Sequence, residues 1–456
     1  MRIRVFISLL VCRFSGFLLR LAGRGGTNLP GRIALKLCPR VLEAMSIGVS
    51  VVIVTGTNGK TTTSRMLEEC FKRAGLSCFA NRSGANLLSG IVAEFARNCS
   101  LSGRCKKPYA IIECDEAAFR QVSRQLSAKC ILVTNVFRDQ LDRFGEITHT
   151  LESIREAVEN SPQAVVCLNA DCSLTASLAE NLPNWIVWYG LDEPVYGERA
   201  EELSDAVYCL RCKSPYSYDY RTYGHLGAWK CPGCGWERPS PDVSVMHIAG
   251  MNEDGSEIDI KYSDNVYHAS VALPGGYNIY NAAAAFSAAV TMGVEPETIV
   301  DSLGGFECGF GRAEKFKVGD ASVRMMLVKN PAGFNQVLSF LINTDVKAKL
   351  VFLLNDRYAD GTDISWIWDV DFERLAACRH AFGEVYVSGI RAYDMGLRLK
   401  YAGFPVDEIN IIQDYDELIH LAIKDGGQVY MLPTYTAMFD LRLALGKLID
   451  VRNFWE

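Results

Sequence analysis

Residues 51–64 read VVIVTGTNGKTTTS, an apolar β-branched run that breaks into a turn rich in glycine, lysine and threonine. The run predicts a buried strand, and the glycines behind it let backbone N–H groups approach phosphate oxygens. Lys60 adds a point charge, and a helix that starts near Thr62 directs its positive end at an anion. Thr61 or Thr62 offers a hydroxyl to Mg²⁺. The sequence therefore predicts an ATP site formed by Thr57, Asn58, Gly59, Lys60, Thr61 and Thr62.

The glycine spacing separates this loop from the commonest phosphate loop. In G-x-x-x-x-G-K-[ST] the two glycines are about five residues apart, whereas Gly56 precedes Gly59 by three. A glycine-rich turn without a ligand is the competing interpretation. Because glycine, lysine and hydroxyls all follow the strand in register, we favour the nucleotide site.

Strand-like and helix-like segments alternate from about residue 48. This alternation predicts an α/β fold with a largely parallel, doubly wound sheet that binds ligands at the carboxyl ends of its strands. A second α/β pattern follows Arg312 and predicts a Rossmann-like C-terminal domain. Since 456 residues are too many for one core, we expect a leader over 1–47, a central ATP-binding domain over 48–312 and a C-terminal domain over 313–456.

The leader combines an apolar helix pattern with a glycine-rich stretch. Residues 5–22 are interrupted by Arg13 and Arg20, and no small-residue cleavage site follows them, so neither a membrane span nor a signal peptide is predicted. Read as a helix, the segment has an apolar face with the arginines off it. This pattern favours a helix docked on the protein body, and it is compatible with a basic amphipathic helix at a membrane surface.

Two Cys-x-x-Cys pairs lie in a tyrosine- and cysteine-rich insertion at 206–240, with 18 residues between them. This is zinc-ribbon spacing, in which each pair forms a tight turn that directs two thiolates at one ion. Four cysteines leave no open position for a reacting water, so the zinc is predicted to be structural. The predicted ligands are Cys209, Cys212, Cys231 and Cys234.

Composition excludes several other classes of protein. A net charge of −6 lacks the basic footprint of a nucleic-acid-binding chain, so we expect no nucleic-acid partner. The remaining cysteines are scattered through apolar segments, which is typical of buried free thiols in a reducing compartment. We therefore expect a cytoplasmic protein.

Acidic and amide side chains follow two strands of the predicted sheet, at the edge where the phosphate loop lies. An acid at such a strand end typically holds Mg²⁺ or orients a nucleophile. Each group alone is better explained by a solvated loop than by a ligand, but together with Lys60 they favour one site. These residues are Glu113, Asp115, Glu116, Asn135, Asp139 and Asp142.

The chain lacks a G-x-C-x-G or G-x-S-x-G nucleophile elbow, and its six histidines show no metal spacing. An aspartate-rich stretch at 355–371 could supply metal ligands, catalytic groups or a turn-rich loop, and composition alone favours the loop. The sequence therefore predicts no catalytic serine or cysteine of the nucleophile-elbow type in this chain.

Together these motifs resemble the Mur ligase superfamily over residues 48–315. TGTNGKTTT matches the superfamily's phosphate loop, and Gly311-Arg312-x-Glu314 matches its interdomain G-R-x-E. TNVFRDQLDRFGE resembles TNI-x-x-DHLD-x-HG, with Gln140 and Phe144 in place of histidines. GGYNIYNAAAA resembles GxHNxxNxxAA, with Tyr277 in place of histidine.

The Cys₄ insertion and the C-terminal motif YADGTDISWIWDVDFE narrow the resemblance to the MurT family, the ligase-like subunits of MurT–GatD complexes. It implies ATP- and Mg²⁺-dependent amidation of the D-glutamate α-carboxyl of the lipid II stem peptide to D-isoglutamine, through an acyl phosphate. It also implies a heterodimer with a GatD-like glutamine amidotransferase subunit that supplies ammonia. The expected cytoplasmic location is compatible with contact at the inner face of the plasma membrane.

The resemblance assigns roles to individual residues. Lys60, Thr61 and a Mg²⁺ held by Glu113 would stabilise the transferred phosphoryl group. Asn278 would contact adenine, and Arg312 would contact phosphates from the domain hinge. An aspartate of the C-terminal domain would complete the partner's Cys–His pair. We assign it to Asp363, with Asp360 as the alternative because the spacing alone does not decide.

Two other functions compete with this one. The first is a stand-alone Mur- or folylpolyglutamate-type amino-acid ligase, which the zinc ribbon and the replacements at Gln140 and Tyr277 disfavour. The second is a nucleotide-binding scaffold of cell-wall synthesis, which the intact Lys60 and Glu113 disfavour.

Overall fold

The computed structural model of the chain describes residues 2–21, 28–81, 85–138, 147–196, 204–306, 312–343 and 347–450. Within these ranges the strands form a nine-stranded sheet, a six-stranded sheet and a separate two-stranded hairpin. In chain order the strands of the first part are β1 (Ser50–Thr55), β2 (Cys78–Ala80), β3 (Tyr109–Glu113), β4 (Cys130–Val133), β5 (Val165–Asn169), β6 (Ile186–Leu191), β7 (Ser217–Tyr223), β8 (Leu226–Lys230), β9 (Val243–Met251), β10 (Ser256–Tyr262) and β11 (Asn265–Val271).

The nine-stranded sheet has the order β11-β10-β9-β6-β5-β4-β1-β3-β2. Strands β1 to β6 and β9 pair in parallel, and β10 and β11 extend the sheet as antiparallel strands. β1 lies between β3 and β4 and is apolar and buried from Val51 to Val54, as expected for a central parallel strand. The strand order reverses around β1, and such a reversal opens a crevice at the carboxyl ends of the strands.

Helices cover this sheet and carry its connections. Val5 and Leu9 of the first helix belong to the same apolar core as the central strands, so the leader is packed against the domain. The helices of this part are α1 (Arg2–Leu21), α2 (Leu29–Leu37), α3 (Val41–Ser46), α4 (Lys60–Arg73), α5 (Leu88–Asn98), α6 (Glu116–Ser123), α7 (Ile147–Glu159), α8 (Ser173–Leu178), α9 (Gly276–Thr291) and α10 (Pro296–Gly304).

The six-stranded sheet has the order β12-β13-β17-β14-β15-β16, in which only the β12–β13 pair is antiparallel. Apolar clusters lie on both of its faces, which is the layering of a Rossmann-like unit. Its elements are β12 (Arg312–Val318), β13 (Ala321–Met326), α11 (Pro331–Asn343), β14 (Ala348–Leu353), α12 (Phe372–Ala377), β15 (Val385–Ser388), α13 (Ala392–Tyr401), β16 (Ile409–Ile411), α14 (Tyr415–Ile423), β17 (Gly427–Pro433) and α15 (Tyr435–Leu445), with 3₁₀ turns at Ser365–Asp369, Arg379–Ala381 and Val406–Glu408.

The predicted α/β class with a doubly wound central sheet and a second α/β unit is confirmed. The cysteines differ from expectation at one place. Among the described residues they are free thiols except Cys99 and Cys105, which form a disulfide. These two residues face each other across an isolated antiparallel bridge, a closeness that their scattered positions in the sequence did not indicate.

Candidate functional site

The phosphate loop lies at the carboxyl end of β1, where residues 56–59 connect the strand to α4. Gly56 has φ +115° and Gly59 has φ +86°, both in the left-handed region that favours glycine. Each glycine also lies against a polar side chain where a Cβ would not fit: Thr134 beside Gly56 and Asn281 beside Gly59. Conformation and space therefore both require glycine here.

The segment after β4 holds the loop in place. The backbone N–H of Asn58 donates to Asn135 Oδ1 (3.0 Å), and Thr134 Oγ1 donates to the Asn58 carbonyl (2.7 Å). Thr57 Oγ1 accepts from the Phe137 N–H (3.0 Å) and donates to the Phe137 carbonyl (3.2 Å). The segment after β4 thus positions the loop, and Asn135 lies beside it at the edge of the sheet where the sequence placed it.

Lys60 is buried at the first position of α4 and contacts both its own loop and an acid. Its Nζ donates to the carbonyls of Gly56 (2.5 Å) and Thr57 (3.3 Å), and it forms an ion pair with Glu116 Oε2 (3.1 Å). Burial raises the pKa of Glu116, and the charge of Lys60 opposes that increase. Lys60 is therefore a buried cation whose charge is balanced by the carboxylate of Glu116.

Glu113 and Glu116 occupy different places around the loop. Glu113 ends β3 with a buried side chain, and Asn81 hydrogen-bonds both its backbone N–H (2.8 Å) and its carbonyl (2.7 Å). Glu116 begins α6 and is the ion-pair partner of Lys60. Of the acids that the sequence places at this strand end, Glu116 makes a direct contact with Lys60.

Helix α9 approaches the loop with two asparagines. Asn281 Oδ1 accepts from Thr63 Oγ1 of α4 (3.3 Å) and lies against Gly59. Asn281 Nδ2 donates to Asn278 Oδ1 (2.9 Å), and Asn278 Nδ2 donates to the Pro274 carbonyl (2.7 Å). The motif that supplied Asn278 as a candidate also contains Asn281, whose contact with the loop the sequence analysis missed.

The C-terminal unit also reaches the loop. Asn330 Nδ2 donates to Asn58 Oδ1 (3.0 Å), and Lys329 Nζ lies 3.5 Å from the Thr57 carbonyl. These residues follow β13 and precede Pro331, the first residue of α11. In the sequence these residues form a Lys-Asn-Pro segment behind a strand, which is a position typical of site residues. Their contact with the phosphate loop of the other unit is visible only in the structure.

Several predicted residues lie outside the described part of the chain. Asp139, Gln140, Asp142 and Phe144 are among them, and of Arg312 only the backbone at the start of β12 is described. The role assigned to the Arg312 side chain therefore stays a prediction.

The four predicted zinc ligands come together. Their Sγ atoms all lie within 4.8 Å of one another, with Cys212 and Cys231 3.3 Å apart and Cys209 and Cys234 3.7 Å apart. A tetrahedral ion with bonds of about 2.3 Å requires sulfur atoms about 3.8 Å apart, so the cluster fits zinc.

The two cysteine turns have the same backbone geometry. Lys213 and Gly235, the residues behind the second cysteine of each pair, have φ of +64° and +74°. Each of these residues donates its N–H to the carbonyl of the first cysteine, at 2.9 Å in both turns. Trp229, Trp236 and Tyr216 pack beneath the cluster as a small apolar core.

The hairpin that carries the cysteine cluster also contacts the supports of the phosphate loop. Phe137 stacks on Tyr223 with ring centroids 5.5 Å apart, and the His225 ring lies 4.5 Å away. The Tyr280 hydroxyl of α9 is 2.6 Å from both Thr222 Oγ1 of β7 and Asp171 Oδ2. The hairpin therefore packs on the two segments that position the loop.

The two candidate aspartates of the C-terminal unit differ in environment. Asp360 is buried and accepts from the Thr436 N–H (2.6 Å), the Thr436 hydroxyl (2.5 Å) and the Arg357 N–H (3.2 Å). Asp363 is exposed and accepts from the Ser365 N–H (2.8 Å). Only Asp363 presents its carboxylate to solvent.

Within the described ranges, no helix has both the length and the apolarity needed to cross a bilayer. α1 is the longest helix of the first part, at 20 residues.

Known families match both large parts of the chain. The Mur ligase middle domain matches residues 54–208, and the MurT ligase C-terminal domain matches residues 327–438.

Two relatives match along most of their length. The subunit MurT of lipid II isoglutaminyl synthase (glutamine-hydrolysing) from Streptococcus pneumoniae is 33% identical over 455 residues, which is 99% of each chain. The subunit of the same name from Staphylococcus aureus is 32% identical over 422 residues, or 92% of each chain. Among solved structures, MurF from Acinetobacter baumannii aligns with a TM-score of 0.67 at 18% identity, covering 91% of this chain and 80% of its own, which shows a shared fold.

Proposed function

Because the chain belongs to the MurT family of Mur ligases, we propose that it is the ATP-dependent ligase subunit of a glutamine-hydrolysing lipid II isoglutaminyl synthase. Its reaction is amidation of the D-glutamate α-carboxyl in the lipid II stem peptide, which gives D-isoglutamine. The observation that carries the proposal is the likeness to such subunits over almost the whole of both chains. The buried Lys60 at a glycine-rich strand end supplies the matching chemistry.

The reaction needs activation because ammonia does not displace oxygen from a carboxylate. A carboxylate oxygen bonds to the γ-phosphorus of ATP as the bond from that phosphorus to ADP breaks, which gives an acyl phosphate. The nitrogen of ammonia then attacks the carbonyl carbon, phosphate leaves with the C–O electron pair, and the nitrogen loses a proton. Lys60 stabilises the negative charge that spreads over the transferred phosphoryl group.

Other residues of the site bind the nucleotide in this proposal. Thr61 and Glu113 would hold Mg²⁺, because a hydroxyl and a carboxylate are oxygen donors that suit this ion. When bound, Mg²⁺ supplies positive charge next to the phosphates. Asn278 contacts adenine, and its amide retains one N–H and one lone pair beyond its bonds to Pro274 and Asn281. Arg312 contacts phosphates from the start of β12.

The ammonia comes from a GatD-like glutamine amidotransferase subunit, with which the chain forms a heterodimer. Asp363 completes that subunit's Cys–His pair by fixing the imidazole tautomer and stabilising the imidazolium. The exposure of Asp363 supports this assignment, because the alternative, Asp360, is buried and already accepts three hydrogen bonds from its own domain.

An exposed aromatic patch beside this segment is the proposed docking surface for the partner. Trp368 is 50% exposed and packs edge-on against Tyr401, which is 67% exposed, with ring centroids 5.8 Å apart. Tyr393 and Leu397 continue the patch along α13. Exposed aromatic residues of this kind are enriched at protein–protein interfaces.

The aspartate assignment is tested on the purified heterodimer with two nitrogen sources. Asp363→Asn should lower glutamine-dependent amidation by about 100-fold or more and leave ammonium-dependent amidation unchanged. Asp360→Asn is the matched control and should leave the ratio of the two activities unchanged. Glutamine hydrolysis at the wild-type rate in Asp363→Asn would show that the assignment is wrong.

A structural Zn²⁺ in the cysteine cluster completes the proposal. The matched turns and the four converging Sγ atoms support it, and the zinc would close the hairpin onto its small tryptophan core. Metal analysis of the purified chain should find about one zinc per chain, and a chain that folds without any would contradict it.

We also propose that the enzyme works in the cytoplasm at the inner face of the plasma membrane, because ATP is there and the substrate is lipid-linked. The deciding experiment measures phosphate release by the heterodimer with lipid II and either glutamine or ammonium. Release should require lipid II and a nitrogen source, and Lys60→Ala should lower it by about 100-fold or more. Release with glutamate or glycine as acceptor would instead show a stand-alone ligase, and no release under any condition would show a scaffold.

A further inference from the structure

Helix α1 has two apolar faces, and among the described residues one face is packed against the protein while the other is exposed. Val5, Leu9 and Cys12 are buried against the central domain, and the Ser8 hydroxyl donates to the Ala34 carbonyl of α2 (2.9 Å). The helix also packs against α5 and α3. It is therefore fixed to the body along its length, and its outer face is a defined surface.

The outer face is a continuous stripe of large apolar side chains. Its members are each 44% to 62% exposed: Phe6, Ile7, Leu10, Phe14, Phe17 and Leu18. At about 100° per residue they fall within about 120° of the helix circumference, opposite the buried face. Exposed apolar stripes of this size on soluble proteins mark interaction sites.

The charge around the stripe indicates what covers it. Residues 1–47 contain eight Lys or Arg and one Glu, a formal charge of +7, so the rest of the chain carries −13 to give the total of −6. Arg4 on α1 and Arg32 and Lys36 on α2 are exposed. The apolar stripe therefore lies in the basic region of an otherwise acidic protein, and an anionic lipid surface complements both properties.

We propose that the outer face of α1 lies in the headgroup region of an anionic bilayer and holds the enzyme at the membrane as a peripheral protein. Phe14, Phe17 and Leu18 enter the acyl boundary while nearby arginines contact lipid phosphates. α1 lies flat because its other face is packed against the domain. The proposal rests on the proposed function only in that a lipid-linked substrate makes such contact useful.

The test is flotation of the full-length chain with vesicles that contain no lipid II. The chain should float with vesicles of one part phosphatidylglycerol to three parts phosphatidylcholine. Binding should fall at least about tenfold on pure phosphatidylcholine and at high salt. Phe14→Asp with Leu18→Asp should lower it at least about tenfold on the anionic vesicles.

The matched control is Leu443→Asp with Leu448→Asp, which changes two leucines of similar exposure (73% and 57%) at the C-terminal end. It should float like the wild type. Equal flotation of the α1 variant and the wild type would overturn the proposal. The proposal would also be overturned if the wild type eluted from size exclusion with a bound protein or a second copy of the chain and the α1 variant did not. The stripe would then be a protein interface.

A second assay separates this proposal from the proposed function. With lipid II in detergent micelles the α1 variant should amidate at the wild-type rate, and with lipid II in vesicles its rate should fall at least about tenfold. If no variant amidates in either format but flotation behaves as described, the proposed function is wrong and the membrane surface stands.

Discussion

The phosphate loop and the cysteine cluster are both short motifs, yet they are assembled in opposite ways. Each cysteine turn is closed by hydrogen bonds between residues four or five positions apart, as in Lys213 to Cys209. The loop is instead held from far along the chain. Asn58 bonds to Asn135, 77 positions away, and to Asn330, 272 positions away. The cluster is thus a local structure, whereas the loop depends on the whole fold.

The two regions nevertheless meet, because the cysteine hairpin packs on the supports of the loop. Phe137 stacks on Tyr223, and Tyr280 bonds to Thr222. We therefore predict that a substitution inside the cysteine cluster affects mainly the hairpin. A substitution at the contacts between the hairpin and the loop supports should also change nucleotide binding.

The largest effect is expected from Lys60→Ala. It removes the cation that we propose acts on the transferred phosphoryl group, and it should lower lipid II-dependent phosphate release by about 100-fold or more. It also leaves Glu116 buried without its ion-pair partner (3.1 Å in the wild type), which destabilises the fold by about 3 kcal/mol. Lys60→Ala with Glu116→Gln should regain that stability without regaining activity.

The control for this change lies on the same helix. Lys72 is 52% exposed and pairs with Glu68, so Lys72→Ala should leave phosphate release within about twofold of the wild type. Comparable losses in both variants would mean that any charge on α4 matters, and that Lys60 has no special role.

The next effect tests whether the cluster is local. Cys212→Ser should reduce zinc from about one to none per chain and unfold the hairpin, because a structural zinc site contributes its binding energy to folding. Cys378→Ser, at a partly exposed free thiol of the C-terminal unit, is the control and should retain zinc. Protease protection and near-ultraviolet circular dichroism of the tryptophans would follow the hairpin. Retention of zinc by Cys212→Ser would contradict four-cysteine coordination.

The contrast also explains what could be predicted from the sequence. The buried run at Val51–Val54 and the glycines behind it predict a phosphate loop because the strand and the turn depend on residues that are adjacent in the sequence. The spacing of Cys209 to Cys234 identifies the cluster for the same reason. The alternation of strands and helices likewise gave the α/β class, though not the antiparallel extension of the sheet by β10 and β11.

The missed residues are those whose roles depend on distant contacts. Asn281 and Asn330 reach the loop only because the fold brings α9 and the C-terminal unit to one crevice. Their local sequence, a motif asparagine and a Lys-Asn-Pro segment behind a strand, does not indicate which distant residue each one contacts. Glu116 is one of the acids that the sequence places behind β3, but the side-chain direction that brings it to Lys60 depends on the start of α6.

A moderate effect is expected where the loop depends on α9. Asn281→Ala removes the acceptor for Thr63 and the side chain against Gly59, so the dissociation constant for ATP should rise about tenfold. Ser287→Ala is the control on the same helix, since its hydroxyl bonds within α9 to Ala284. Isothermal titration with a non-hydrolysable ATP analogue measures both. An unchanged affinity in Asn281→Ala would mean that the loop is held well enough by its other contacts.

The smallest effect tests the junction between the two regions. Tyr280→Phe removes the hydroxyl that bonds both Asp171 and Thr222 at 2.6 Å, and it should lower the free energy of unfolding by about 1 to 2 kcal/mol. ATP affinity should fall about threefold, because Tyr280 adjoins Asn281 on α9. Tyr267→Phe, which packs on α9 through Phe286, is the control and should change neither quantity.

The pH dependence of the Tyr280→Phe effect has a definite sign. Burial already raises the pKa of Asp171, with Arg238 and the Tyr280 hydroxyl opposing it, so loss of the hydroxyl raises that pKa further. A carboxyl whose pKa is higher in the folded state favours folding below its unfolded pKa, and that advantage is lost as the pH rises through the folded value. The stability difference between wild type and Tyr280→Phe should therefore grow from acidic towards neutral pH in urea titrations. A difference independent of pH would mean that the hydroxyl acts through Thr222 alone, and that the cysteine hairpin contacts α9 without involving the buried carboxylate.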